Sequence, residues 1–183
     1  MGSIDQNVTQ WLNALAGSHR ALDAFMVAAS QVGVPLLVLL VALQWWSKED
    51  RFRIRHTCIA AGLSFLLGLA LNQVILLFVH RVRPYDAGLT HLIIARSHDW
   101  SFPSDHATAT IAIVAAFLFH GWRRRALGLL VGAAIVCVSR IYVGTHYFTD
   151  VLGGAATGIV AAGAVRWLYS EGTRVDRLIT RIL

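Results

Sequence analysis

Charged side chains are scarce in this chain. Asp, Glu, Lys and Arg make up 14% of its 183 residues, against 56% hydrophobic ones, and the mean hydropathy is +0.60. So little charge excludes an ordinary soluble domain and points to one compact membrane domain over residues 1–183. A basic n-region is also missing: MGSIDQNVTQWLNALAG has no cationic stretch ahead of an apolar core, so no secretory signal is expected. Met1-Gly2 opens like an acylation motif, but Gln6 stands where Ser or Thr is required. Cysteine is limited to Cys58 and Cys137, both in apolar runs, where free buried thiols are expected rather than a disulfide. Internal repeats and low-complexity segments are absent.

Long apolar runs are abundant. Ile4, Val8, Trp11, Leu12 and Leu15 recur at helical spacing over residues 4–17. That segment is too short to cross a bilayer, so it is expected to lie in the interface. Five runs follow at 22–46, 56–79, 104–121, 125–143 and 149–169, each near the ~20 residues that a hydrocarbon core requires. The predicted fold is all-α, a polytopic helical bundle with five transmembrane helices.

Loop charge sets the orientation. Lys48, Arg51, Arg53 and Arg55 lie in the first connection, Arg123-Arg124-Arg125 in the third, and Arg174, Arg177 and Arg181 in the tail. With five spans these share one side, which the positive-inside rule makes cytoplasmic. The long 80–103 connection and the turn near 144–148 then face outward. Trp45, Trp46, Trp122 and Trp167 fall at inner span ends, and Trp100, Tyr142 and Tyr147 at outer ends, as two aromatic belts would.

Three polar clusters fall on the outward side. These are His80-Arg81-Val82-Arg83-Pro84, then Ser101-Phe102-Pro103-Ser104-Asp105-His106, then the stretch from Ser139-Arg140 through Gly144-Thr145-His146 to Asp150. Arg83 and Arg140 carry guanidinium forks suited to phosphate oxygens. Ser104 is a candidate N-cap, and the helix end after it suits an anion. His146 and Asp150 are four apart, so a helix starting early would let Asp150 hold one ring nitrogen of His146 and leave the other free to attack. His106 can protonate a leaving oxygen. The outer carboxylates, Asp86, Asp99, Asp105 and Asp150, lack the paired spacing of metal sites, so neither metal nor other cofactor is expected. Phosphoryl transfer through a phosphohistidine fits these groups best.

The third cluster resembles the third signature of the type-two phosphatidic acid phosphatase superfamily: Ser139-Arg140, five residues, His146, three residues, Asp150. Pro103-Ser104-Asp105-His106 resembles its second signature, Pro-Ser-Gly-His, and Arg83-Pro84 the end of its first. The finer pattern looks like the bacitracin-resistance undecaprenyl-diphosphatase branch. The resemblance implies a metal-free membrane enzyme removing phosphate from a polyprenyl diphosphate at the outer face of a bacterial plasma membrane. It implies His146 as nucleophile, Asp150 as its orienter, His106 as general acid, and Arg83, Ser104 and Arg140 as phosphate ligands. Two departures accompany it. Leu76 stands where the first signature has Lys, so Arg81 becomes a further candidate for the phosphate site. Asp105 replaces the signature Gly and joins the phosphate-site candidates by position.

Other readings compete. A non-enzymatic lipid-phosphate carrier would place ionisable groups along the spans, but here they crowd one interface and Asn72, Gln73 and Gln31 are the main polar residues within the runs. Nucleic acid is disfavoured, because the cations divide between two sides. Membrane lipids and the lipid substrate are the expected partners. Phosphatases of phosphatidylglycerol phosphate, phosphatidate or lipid A share the same head chemistry. His91, His98, His120 and Asp86 read as structural, Arg123–Arg125 as a topology anchor, and Gly153, Gly154 and Gly158 as permitting close helix packing.

Overall fold

The computed structural model describes residues 3–182; Met1, Gly2 and Leu183, and with them the start of the acylation-like motif, lie outside the described residues. Seven α-helices form an all-helical bundle, with no strand among the described residues: α1 Ile4–Asn13, α2 Arg20–Leu43, α3 Arg51–Leu76, α4 Asp105–Phe119, α5 Arg123–Tyr142, α6 Phe148–Leu168 and α7 Arg174–Thr180. Four of them, α2, α3, α5 and α6, are long and apolar enough to cross a membrane, and α4 is a shorter apolar helix of 15 residues. The chain is therefore a multi-pass membrane protein.

The helix at the centre is α4. Ten of its residues, from Ala107 to Phe117, are buried, and it packs on α3, α5 and most extensively on α6. Two glycines permit that closeness. A Cβ on Gly154 would stand 2.3 Å from the Ser104 carbonyl oxygen, and one on Gly158 2.6 Å from that of Thr108. Any larger residue there would push α6 off the helix that begins at the polar cluster. The lipid-facing helix α2 is the opposite case. It buries only Ser30, Leu37 and Val41, and exposes Phe25, Leu36, Leu39 and Leu43.

The first helix turns its polar residues inward. Ser3 and Gln6 close a capping box at its start, and Ile4 and Trp11 are left exposed as an interfacial helix requires. Its buried face supplies what α6 lacks: Thr9 Oγ1 accepts the Phe148 N–H at 3.0 Å, and Asp5 Oδ1 accepts the Thr149 N–H at 2.9 Å. Two orphan donors of the α6 N-terminus are thus capped from another helix.

Several boundaries differ from expectation. α3 begins at Arg51, not 56, because Arg55 is no loop cation. It is buried, donating to the carbonyls of Trp45 at 3.0 Å and Thr180 at 2.9 Å. The tail folds as α7 under α3, where Asp176 meets His56 Nδ1 at 2.8 Å and the Tyr169 hydroxyl at 2.6 Å. Tyr142 and Tyr147 are buried instead of forming a belt. The Tyr142 hydroxyl donates to Asp23 at 2.7 Å, and Tyr147 lies under the Arg81 guanidinium, 3.8 Å from ring centroid to Cζ. Both cysteines are free.

Candidate active site

Three segments meet at one end of the bundle: the 77–104 connection, the start of α4, and the turn between α5 and α6. The turn is set first. Thr145 Oγ1–H donates to the Arg140 carbonyl at 2.8 Å, and the amides of Thr145 and His146 reach the same oxygen at 3.2 and 3.3 Å. Gly144 makes the reversal with φ +88°, and a Cβ there would stand 2.5 Å from the His91 carbonyl oxygen. Only glycine meets both demands. His146 is thereby carried inward ahead of α6, which starts at Phe148.

That position changes who holds the imidazole. His146 Nδ1 lies 2.8 Å from the Ser101 carbonyl oxygen, and 3.7 Å from Asp150 Oδ2. A carbonyl only accepts, so Nδ1 carries the hydrogen and Nε2 keeps its lone pair. The expected direct bond from Asp150 is replaced because His146 precedes the helix instead of sharing a face with Asp150. Asp150 acts one bond further out. It accepts the Ser101 hydroxyl at 2.5 Å, the Tyr147 N–H at 2.8 Å and Arg81 Nη1 at 2.6 Å. The sequence pattern assigns Ser101 no role, because a backbone acceptor leaves no signature in side-chain type. Burial pushes the His146 imidazolium down to about 4, with the Asp150 carboxylate opposing and Arg140 and Arg83 adding to the shift, so the ring is neutral near pH 7.

Two arginines flank the free nitrogen. Arg83 Nη1 is 3.4 Å from His146 Nε2 and 2.9 Å from the Thr145 carbonyl, while its Nε and Nη2 bond the Asp99 carbonyl at 3.0 Å and carboxylate at 2.8 Å. Arg140, in the last turn of α5, bonds the Ser30 hydroxyl of α2, and its buried Nε has no partner. Ser30 and Asp99 were not foreseen as supports; the lone Ser within the α2 apolar run was the available signal. Ser104 does occupy the N-cap of α4, yet its hydroxyl caps nothing and is buried without a partner, and its N–H donates to the Asp150 carbonyl at 3.0 Å.

A cavity of about 100 Å³ sits among these groups, lined by Leu76, Arg83, Ser97, Asp99, Pro103, Asp105, His106, Arg140 and His146. Six of the sequence candidates therefore converge: Arg83, Arg140, His106, His146 and Asp105 on its wall, and Asp150 behind it. Arg81 does not reach it. Its guanidinium is held by Asp5 at 2.5 Å, Asp150 at 2.6 Å and Thr149 at 2.7 Å, which makes it the link between α1 and the α6 start. Asp105 receives the Asn72 amide at 2.6 Å, and the same amide nitrogen reaches Thr108 at 2.9 Å. Asn72 is the unforeseen partner that ties this acid to α3. Leu76, at the signature-Lys position, gives the wall an apolar patch and no cation.

An unpaired guanidinium nitrogen, an unprotonated ring nitrogen and a second imidazole around one small cavity are features of a phosphate-handling site. The PAP2 superfamily pattern matches residues 57–174. This chain belongs to the PAP2 superfamily. It is 34% identical over 177 residues to undecaprenyl-diphosphatase BcrC of Bacillus subtilis, covering 93% of this chain and 87% of that protein. It is 31% identical to phosphatidylglycerophosphatase B of Bacillus subtilis, covering 82% and 71%. Among solved structures, a PAP2 type phosphatidylglycerolphosphate phosphatase from Bacillus subtilis shares the fold with a TM-score of 0.67 at 23% identity, over 93% of this chain and 86% of that one.

Proposed function

We propose that this PAP2 protein is an undecaprenyl-diphosphate phosphatase acting as a single membrane domain over residues 1–183, with its cavity on the outer face of a bacterial plasma membrane. The observation that carries the reading is the free Nε2 of neutral His146, fixed by the Ser101 carbonyl and standing at the cavity between Arg83 and Arg140. The substrate class rests on the similarity to BcrC, and the orientation on the cationic connections at the other end of the bundle.

In this mechanism His146 Nε2 attacks the terminal phosphorus, forming a P–N bond as the bond to the bridging oxygen breaks. Arg83, Arg140, the Ser104 hydroxyl and the α4 N-terminus bind the equatorial oxygens, whose charge is greatest in the transition state. The ring becomes cationic on phosphorylation. Its Nδ1–H already points at the Ser101 carbonyl, with the Asp150 carboxylate 3.7 Å away to stabilise the charge. With the substrate's negative charge in the cavity to favour its protonated form, His106 gives a proton to the departing polyprenyl monophosphate, then takes one from water as that oxygen attacks phosphorus and the P–N bond breaks. Inorganic phosphate leaves and both imidazoles return to their first states.

Purified protein with a chelator present should release phosphate from undecaprenyl diphosphate faster than from phosphatidylglycerol phosphate, phosphatidate or lipid A phosphates. A preference for phosphatidylglycerol phosphate would move the assignment to the second relative's activity, and no release from any lipid would favour a carrier.

A further inference from the structure

The end of the bundle remote from the catalytic cavity holds a second concave polar feature. A cavity of about 480 Å³ opens between the start of α3 and the α4–α5 turn, lined by Glu49, Arg53, Trp122 and the Arg123–Arg125 run. Four guanidinium groups there meet two carboxylates, Glu49 and the neighbouring Asp50. Arg125 is committed to Glu49 at 2.7 Å, Gln44 at 2.5 Å and Ser47 at 3.1 Å. Arg53 donates to the His120 carbonyl at 2.9 Å and stands 3.8 Å from the Asp50 carboxylate in a solvent-exposed pair. Arg123 and Arg124 are exposed and form no ion pair with any described residue.

A topology anchor needs only charge in a loop; this feature is constructed. Trp122 is gripped between the Arg53 and Arg125 guanidinium groups, 5.4 and 4.8 Å from its ring, and its indole N–H donates to Thr57 at 3.0 Å. Gly121 turns with φ +84°, and a Cβ on it would stand 2.9 Å from Arg53 Nη2, so the missing side chain gives Arg53 its place. The arrangement also opposes a local rule. α5 opens on three cations, with no acid in its first turn and no side-chain cap from Trp122, at the helix end where the macrodipole favours negative charge. An anion in the cavity would offset both the cation repulsion and the dipole.

Beside it lies an apolar cleft of about 440 Å³ between α2 and α3, walled by Val41, Trp45, Cys58, Gly62 and Phe65. The two share no lining residue, but Gln44, which holds Arg125, is the chain neighbour of Trp45 on the cleft wall. Phosphate chemistry and hydrocarbon are thus offered side by side. We propose that this end of the protein binds an anionic phospholipid, with the headgroup phosphate on Arg53, Arg123 and Arg124 and one acyl chain in the α2–α3 cleft. The lipid is a resident of the membrane and not the substrate.

Native mass spectrometry of the full chain tests this, after equilibration with phosphatidylglycerol or phosphatidylcholine of matched chains. Preferential retention of phosphatidylglycerol is expected. Arg53→Gln with Arg124→Gln should weaken it about 10- to 30-fold, from ~1 kcal/mol per surface cation. Two further variants keep every arginine, and so keep the topology signal. Glu49→Gln should tighten retention, and Gly62→Leu should weaken it by filling the cleft, since nothing lies within 4 Å of a Cβ at Gly62. Equal retention of both lipids, or retention unmoved by the double Arg variant and by Gly62→Leu, overturns the proposal. Displacement of the lipid by millimolar inorganic phosphate also overturns it, in favour of a soluble-anion site.

Discussion

The two ends of the bundle both bury ionisable groups, and they use them differently. At the α7 end, Asp176 is saturated: it accepts from His56, the Tyr169 hydroxyl and the Gly172 amide. His56 stacks on Tyr169 at 4.6 Å and meets the His120 ring edge at 5.0 Å. His56 Nε2 and His120 Nε2 are buried there without partners, but each ring carries its hydrogen on Nδ1, facing Asp176 and the Ala116 carbonyl, so what is unmet at this end is an acceptor and not a donor. At the cavity end, Arg140 Nε and Ser104 Oγ are buried donors without partners, and Arg140 lines the open space. Buried charge alone does not mark a site. Unmet donors beside an open volume do, because leaving them unmet costs about 1–3 kcal/mol each until an anion arrives.

The contrast can be broken or sharpened by substitution. His146→Ala should lower kcat by at least about 10³-fold while the protein stays folded; measurable turnover near wild type would remove His146 as nucleophile. Asp150→Asn should lower kcat by about 10²- to 10³-fold, since it weakens both the Ser101 anchor and the charge behind the ring, and the KM should move little. Arg140→Lys keeps the charge but loses the planar fork, for an expected loss of about 10²-fold; equality with wild type would show that charge alone suffices.

At the far end the signs reverse. Asp176→Asn should cost about 2–4 kcal/mol of stability, from partners left without an acceptor, with kcat unchanged. A fall in kcat matching the loss of stability would collapse the distinction between the ends. The smallest effect is in pH. His146 titrates at about 4 in the fold and near 6.5 when unfolded. The unfolded chain therefore binds the extra proton between these values, so stability rises with pH across that window and is unaffected by this group above it. The acid limb of kcat/KM should accordingly fall near pH 4, not near 6.5.

How much of this was legible in the sequence differs by kind of signal. Hydropathy placed α4, α5 and α6 within two residues, because a helix facing lipid or buried all round has no polar residues to blur it. It failed at the start of α3 and at α7. The run Arg51–Arg55 looks like a loop until Arg55 is seen to bond carbonyls of residues such as Thr180, far along the chain. In the site, residue type and spacing picked out groups that the structure brings to one cavity. They did not identify what orients them: the Ser101 carbonyl, the Asn72 amide, and the α1 side chains that cap α6. Backbone acceptors carry no residue identity, and contacts between distant segments carry no spacing.

One dimension of α4 bears on where the reaction occurs. Fifteen residues make a helix of about 22 Å, against a hydrocarbon core of about 30 Å, and the cavity sits at one end of it. If the other end reaches its own membrane boundary, the cavity floor is recessed by roughly 8 Å. The headgroup must then sink, or the bilayer must thin around the bundle. Hydrophobic mismatch thus becomes a kinetic variable, and lipids with shorter acyl chains should bring the scissile phosphate closer to His146.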